Sequence, residues 1–178
     1  MRVKQKALVL IVIMLIFAGV IAACTADIKS MQNEATSTIE EEMGLIKVTV
    51  DRVVDGDTVD FIKDGEVVRV RLIGIDAPEI GEPGGTEATA FLADLLPEGD
   101  YAYLDIGDPA EDRFGRTRAY VWLAWQDTGT SSSSMANEIL LRAGHARVLT
   151  INPEGWEGLF ETSEEEARDA GRGIWGLE

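Results

Sequence analysis

The sequence predicts an α+β domain whose β-sheet closes into a small barrel. Segments in which apolar and polar residues alternate, as in half-buried strands, recur between about residues 45 and 125. One helical pattern interrupts them after the third strand, and further helical patterns follow near the C-terminal end. Several short strands with few helices, mostly late in the chain, are typical of a barrel of the α+β class.

The first strands form a hairpin. The first arm is rich in valine: Val48, Val50, Val53, Val54 and Val59. In the second arm Val68, Val70 and Leu72 alternate with Val67, Arg69 and Arg71. Asp64-Gly65 between the arms predicts a two-residue turn, because glycine tolerates the positive φ that such a turn needs.

This hairpin brings four carboxylates and one guanidinium into the same region. Asp55 and Asp57 lie at the start of one arm, and Asp76 and Glu79 lie just beyond the end of the other. Arg71 lies on the second arm. The cluster is the candidate functional site.

The remaining elements are separated by glycine, proline and polar turn residues. They are predicted to be a helix at 86–96, strands at 101–106, 118–125 and 147–151, and helices at 135–142 and 160–172. In the last helix, Ser163 and Glu166 have the spacing of a capping box. Residues 107–117 and 126–134 are predicted to be polar loops.

The first 23 residues predict an export signal. A basic start is followed by 17 uncharged residues, Ala7 to Ala23, and then by Cys24, the only cysteine. Small residues before a cysteine resemble a lipoprotein signal, in which that cysteine becomes lipidated. An uncleaved membrane anchor is the alternative. We therefore expect residues 24–45 to be a flexible tether and 46–178 to be a domain held outside the cytoplasm.

The chain is strongly acidic. Removal of residues 1–23 takes away three of 16 basic residues, which leaves 13 against 32 acidic ones and moves the formal charge from −16 to −19. Proteins that bind nucleic acid through overall attraction are basic. A polyanionic substrate would have to be bound through a cation and a few well-aimed arginines.

The residue types suggest which cation. Carboxylate and carbonyl oxygens suit Ca²⁺, and Asp57, Asp76 and the backbone carbonyl of Ala77 could supply them. Glu79 follows a proline and could face a bound water, while Arg71 and Arg116 offer planar donors to phosphate. With His145 as the sole histidine, neither a two-histidine ribonuclease site nor a Ser-His-Asp triad can be built.

From about Ile46 to Trp175 the chain resembles the thermonuclease, or staphylococcal-nuclease-like, family. The resemblance is carried by residues 54–59 and 71–79, by Phe114-Gly115-Arg116 with Ala119-Tyr120, by Asn137-Glu138 with Leu141 and Gly144, and by Gly173-Ile174-Trp175. It implies a five-stranded OB-fold barrel with three helices. It also implies metal-dependent hydrolysis of DNA and RNA to 3′-phosphate products.

The resemblance assigns a role to each site residue. It implies Ca²⁺ ligands at Asp57, Asp76 and the Ala77 carbonyl, with Asp55 nearby. It further implies a general base at Glu79, catalytic arginines at Arg71 and Arg116, and substrate binding at Arg113. Thr150 and Asn152 stand where relatives have tyrosines that contact the nucleotide.

Alternatives remain at this stage. Asp55 and Asp57 could serve only as turn residues, and Arg71 could be a strand residue paired with Glu66 or Asp60. The whole domain could then be a non-catalytic OB module that binds a protein or an oligonucleotide at the membrane. For the nuclease interpretation no obligate protein partner is inferred, and we expect a monomer.

Overall fold

A computed structural model describes residues 44–123, 134–149 and 155–177. The fold is that of the unit Leu45–Glu178. The predicted signal segment at 1–23, Cys24 and nearly all of the tether at 24–45 lie outside the described residues. The described residues also leave out most of the predicted loop at 126–134, as well as Thr150 and Asn152.

Five strands form a closed barrel in the order β1-β2-β3-β6-β5, and two short strands, β4 and β7, form a separate antiparallel pair. In chain order the strands are β1 (Ile46–Asp55), β2 (Thr58–Lys63), β3 (Glu66–Leu72), β4 (Ile75–Asp76), β5 (Tyr101–Glu111), β6 (Thr117–Leu123) and β7 (Arg147–Val148). Neighbouring barrel strands are antiparallel except β3 and β6, which are parallel.

Three α-helices accompany the barrel in the described residues. They are α1 (Gly85–Leu95), α2 (Ala136–Ala143) and α3 (Glu157–Asp169), and a 3₁₀ helix, Gly173–Gly176, follows. The predicted α+β class and the five-stranded barrel of OB type with three helices are confirmed. Within the described ranges, no helix is both long and apolar enough to cross a membrane.

The predicted hairpin turn is confirmed. Lys63 pairs with Glu66, so that only Asp64 and Gly65 connect β2 to β3. Both turn residues have positive φ, 53° at Asp64 and 85° at Gly65. This is the backbone that a tight hairpin needs for its strands to keep their natural twist.

The core fills the barrel and continues under the helices. Val59, Phe61 and Val70 from the hairpin are fully buried, as are Leu92 of α1 and Phe160 of α3. Burial of such side chains contributes about 1.5–3 kcal/mol each. The strands that carry the acidic cluster are therefore anchored in a well-buried core.

Asn137 connects α2 to the barrel. Its buried side chain accepts a hydrogen bond from the Val121 N–H at 2.9 Å and donates one to the Ile73 carbonyl at 2.8 Å. Ile73 lies between β3 and β4. This amide therefore fixes the chain at the point where it leaves the barrel and enters the candidate site.

Two details of the predicted elements are wrong. The last helix runs from Glu157 to Asp169, not 160–172, and Ser163 is buried in its middle, where it donates a hydrogen bond to Glu138 at 2.7 Å. Ser163 therefore does not form the predicted capping box with Glu166. Strand β5 also continues through Glu111, although its last residues are exposed and polar and therefore show no apolar alternation.

Candidate active site

Arg71 lies at the centre of the acidic cluster. Its Nη2 atom is 2.9 Å from Asp57 Oδ2 and 2.9 Å from Asp76 Oδ1. Asp57 directly precedes β2, Arg71 lies near the end of β3, and Asp76 ends β4. The two carboxylates that the sequence predicted to converge are therefore neighbours around one nitrogen atom.

The other terminal nitrogen of Arg71 fixes the side chain to the backbone. Nη1 donates to the carbonyl of Leu72 at 2.9 Å and to that of Ile75 at 2.8 Å. Only 13% of the side chain is exposed. The guanidinium is thus held in position before any substrate arrives, which limits the entropy lost on binding.

Asp57 is a buried carboxylate held by several donors. Its Oδ2 accepts the Ala77 N–H at 2.9 Å, and its Oδ1 accepts the hydroxyl of Thr58 at 3.1 Å. Burial raises the pKa of Asp57 to about 6, although the Arg71 guanidinium and these hydrogen bonds act against that rise. An ionised Asp57 therefore favours an additional positive charge beside it.

The backbone around Asp57 allows close approach. A side chain at Gly56 would place its Cβ 2.6 Å from the Cβ of Ala77 and 2.8 Å from that of Ala88. Asp55 stands on the other side, where its Oδ1 accepts the Asp57 N–H at 3.1 Å. The glycine between the two aspartates thus lets the loop pack directly against residue 77.

Glu79 is exposed, and the loop that carries it is fastened to the start of α1. The Glu79 N–H donates to Glu82 Oε2 at 3.0 Å, and the Glu82 N–H donates to the Glu79 carbonyl at 2.9 Å. A Cβ at Gly85 would lie 2.0 Å from that carbonyl oxygen. Glycine at the first position of α1 is therefore required for the loop to sit where it does.

Arg116 directly precedes β6, next to the strand that carries Arg71, because Val70 pairs with Thr117. Its Nε donates to Asp112 Oδ2 at 2.7 Å, and its backbone N–H donates to Asp112 Oδ1 at 3.0 Å. Burial acts to raise the pKa of Asp112, but hydrogen bonds from Arg116 and Phe114 outweigh it and leave that pKa below its ordinary value. Asp112 therefore stays ionised and orients Arg116.

Arg113 lies in the same turn and is exposed. Its guanidinium carbon is 4.6 Å from the ring centroid of Phe114, and that of Arg116 is 5.4 Å from it. Phe114 is 68% exposed. The turn thus presents two cations around one aromatic ring.

The predicted Ca²⁺ ligands can be compared with this arrangement. Within the described ranges, no three His, Cys, Asp or Glu side chains are grouped so as to hold a metal ion. The predicted set needs only two carboxylates, Asp57 and Asp76, with a backbone carbonyl and waters. The two carboxylates do lie together around Arg71, and they are hard oxygen donors of the kind that Ca²⁺ prefers.

The structure also shows the partners of Asp60 and the surroundings of His145. Asp60 is bound by Arg69 at 2.7 Å and by Arg52 at 2.8 Å, so it is not the partner of Arg71. His145 stacks on Phe91 with ring centroids 4.4 Å apart, and its buried Nδ1 has no partner among the described residues. Burial lowers the pKa of His145.

Three residues that shape the site were not predicted from the sequence. Asp112 orients Arg116, Glu82 anchors the backbone of Glu79, and Gly85 makes room for it. Asp112 could have been found, because an aspartate two residues before Phe114 can accept its N–H in a turn. The contacts of Glu82 and Gly85 depend on how the loop docks onto α1.

Comparison with known proteins finds relatives along most of the chain. A family model described as staphylococcal nuclease homologue matches residues 69–176. A thermonuclease of Staphylococcus intermedius is 35% identical over 149 residues, which cover 80% of this chain and 81% of that protein. A thermonuclease of Staphylococcus hyicus is 34% identical over 70% of this chain and 72% of its own. A micrococcal nuclease of Shigella flexneri is 32% identical over 70% of both.

Proposed function

The chain belongs to the staphylococcal nuclease family and is a nuclease, and we propose that it uses Ca²⁺ to hydrolyse both DNA and RNA outside the cytoplasm. The observation that best supports this proposal is the position of Arg71 between Asp57 and Asp76. An acidic chain can hold a phosphodiester only where positive charge is concentrated. This cluster offers one fixed guanidinium together with oxygen donors for a cation.

Asp57, Asp76 and the carbonyl of Ala77 are the residues that would hold Ca²⁺. The ion would supply charge to neutralise a phosphate oxygen and lower the cost of bringing a polyanion to this site. Asp55 lies beside the set and receives the N–H of Asp57. Two carboxylates share a single guanidinium here, so a net negative charge remains that a cation would balance.

Glu79 is proposed as the general base. It is exposed, lies three residues past Asp76, and its backbone is fastened through Glu82. Its carboxylate would take a proton from the water that attacks phosphorus. The bond from phosphorus to the 5′ oxygen breaks, that oxygen takes a proton from solvent, and the phosphate stays on the 3′ end.

Arg71 and Arg116 would bind the phosphate oxygens on which charge accumulates during attack. Both are oriented by carboxylates, Arg71 by Asp57 and Arg116 through its Nε by Asp112. Donors held in place before the reaction stabilise charge at little reorganisation cost. Arg113 in the adjoining turn would bind a further phosphate of the strand.

The nuclease test uses the purified protein with single-stranded DNA and RNA. We expect cleavage with Ca²⁺, none with a chelator, and fragments whose 3′ ends respond to a 3′-phosphatase. Glu79→Gln should reduce kcat by about 10²-fold or more, whereas Glu87→Gln, which changes an exposed acid of α1, should not. Full activity of Glu79→Gln, or cleavage that persists in the chelator, would refute the proposed mechanism.

The location is proposed from the sequence. Cleavage before Cys24 and lipidation of that cysteine would leave the domain on the outer side of a membrane. Cys24→Ala should abolish incorporation of a labelled fatty acid and release the protein from the membrane fraction. An equal amount of membrane-bound protein in both forms would favour the uncleaved anchor instead.

A further inference from the structure

A cavity of about 450 Å³ adjoins the candidate active site and shares Asp76 and Ala77 with it. Its volume falls in the range of small-molecule sites. The other lining residues are four apolar ones, Pro78, Pro83, Ile174 and Leu177, and two charged ones, Glu82 and Arg147. The roles proposed above for the metal ligands, the base and the arginines do not account for this space.

Arg147 is the only cation among the described residues that line the cavity. It lies directly opposite Asp76 in the pairing of β4 with β7. Its guanidinium carbon is 4.2 Å from the ring centroid of Trp175, which orients the planar group. Arg168 approaches the same ring at 4.4 Å but does not line the cavity.

The two carboxylates of the cavity already have partners. Asp76 is bound by Arg71, and Glu82 accepts the N–H of Glu79. Arg147 therefore faces a lining whose negative charges are partly compensated. The lining suits a ligand that combines an anionic group with a flat, weakly polar part, which the prolines and Leu177 would contact.

We propose that this cavity binds the nucleotide next to the cleaved phosphodiester. Arg147 binds its phosphate, and Pro78, Pro83 and Leu177 contact its sugar and base. The inference rests on the proposed nuclease function. The continuity of the cavity with Asp76 and Ala77 carries it, since a strand cleaved at those residues must pass its next nucleotide into an adjoining space.

Equilibrium binding of a fluorescent single-stranded oligonucleotide, measured with Ca²⁺ in the Glu79→Gln background, tests the proposal. Adding Arg147→Gln should raise Kd by about 10-fold, as expected for the loss of a charge-assisted hydrogen bond. In the active background the same substitution should raise KM and leave kcat within about twofold, because binding lost equally in ground and transition states appears in KM.

Arg168→Gln is the matched control. It removes the other guanidinium from Trp175 without changing the cavity lining. We expect its Kd to stay within about twofold of the parent. Equal effects of the two substitutions would mean that Arg147 acts only through packing on Trp175, and no effect of either would mean that the cavity is not occupied. Both results overturn the inference.

A second pair of variants avoids the Trp175 contact. Leu177 at the cavity is 64% exposed, and Val67 on β3 is 63% exposed, so a glutamate is tolerated equally at either position. Leu177→Glu should weaken oligonucleotide binding severalfold, and Val67→Glu should not. Identical affinities would refute the inference, while absence of cleavage by the wild-type protein would refute only the nuclease proposal.

Discussion

Arg71 and Asp57 form an ion pair at 2.9 Å in which both side chains are largely buried, with 13% of the arginine and 10% of the aspartate exposed. Burial nevertheless raises the pKa of Asp57 to about 6. The folded protein thus binds a proton at this carboxyl more readily than the unfolded chain does. In the absence of a metal ion, ionised Asp57 destabilises the fold.

Asp57→Asn should therefore stabilise the protein against urea at pH 7 in a chelator. Because the pKa of Asp57 is higher in the folded protein, the free energy of unfolding falls as the pH rises from about 4 to about 6. The whole pKa shift corresponds to about 3 kcal/mol. Some of this gain is offset by a poorer hydrogen-bond partner for Thr58 or Ala77. We expect about 1–3 kcal/mol at pH 7 and little difference at pH 4. Destabilisation at pH 7 would contradict the prediction.

Arg71→Lys should lower kcat by at least about 10²-fold while the positive charge is kept. An ammonium group cannot reproduce the contacts of Arg71 with two carbonyls and two carboxylates. Arg69→Lys, two residues earlier on β3, changes an exposed arginine paired with Asp60 and is the control. Steady-state kinetics should show a loss in the first variant and not in the second.

Arg116→Ala should also lower kcat by at least about 10²-fold, with KM changed less. Because Asp112 orients this side chain, Asp112→Ala should reduce kcat in the same direction by a smaller factor. The double variant should be no worse than Arg116→Ala alone, since the aspartate acts through the arginine. Additive losses in a double-mutant cycle would show that Asp112 acts independently.

Gly85→Ala should reduce both activity and stability. The new Cβ would lie 2.0 Å from the carbonyl oxygen of Glu79 and force the loop away from α1. Gly158→Ala in α3 meets no atom within 4 Å and should stabilise the protein slightly, because alanine favours a helix. If Gly85→Ala retained wild-type kcat, the docked position of the loop would not matter for catalysis.

His145 should make the fold less stable in mild acid. Burial lowers its pKa below the unfolded value of 6.5, so stability is present above pH 6.5 and falls as pH drops through the folded pKa. Nearby Glu87 reduces this effect. His145→Gln should remove this loss of stability in acid. The difference in the free energy of unfolding between variant and wild type, measured in urea, should therefore change between pH 7 and pH 5. An identical difference at both pH values would contradict the prediction.

The sequence predicted those parts of the fold that are encoded locally. The Asp64-Gly65 turn was predicted because its backbone requirement lies in the two residues themselves. The start of α3 was not, because the capping-box spacing of Ser163 and Glu166 gave no sign that Ser163 would be buried against Glu138. The parallel pairing of β3 with β6 likewise depends on residues far apart in the chain.

The same distinction holds for the site. The convergence of Asp57, Asp76 and Arg71 followed from the hairpin and its alternation. The contacts that fix these groups involve backbone atoms, as in the bonds from Arg71 to two carbonyls and from Ala77 to Asp57. Every residue has the same backbone groups, so residue type does not indicate which of them will form such a bond. The charged side chains of the site are therefore easier to predict from sequence than the contacts that hold them in place.

Strand β1 begins at Ile46 and ends at Asp55, beside the acidic cluster. A strand advances about 3.3 Å per residue, so these ten residues carry the chain roughly 30 Å along the barrel wall. The start of the folded domain and the acidic cluster thus lie at opposite ends of β1. A long polymer can therefore reach the cluster without passing over the residues at which the folded domain begins.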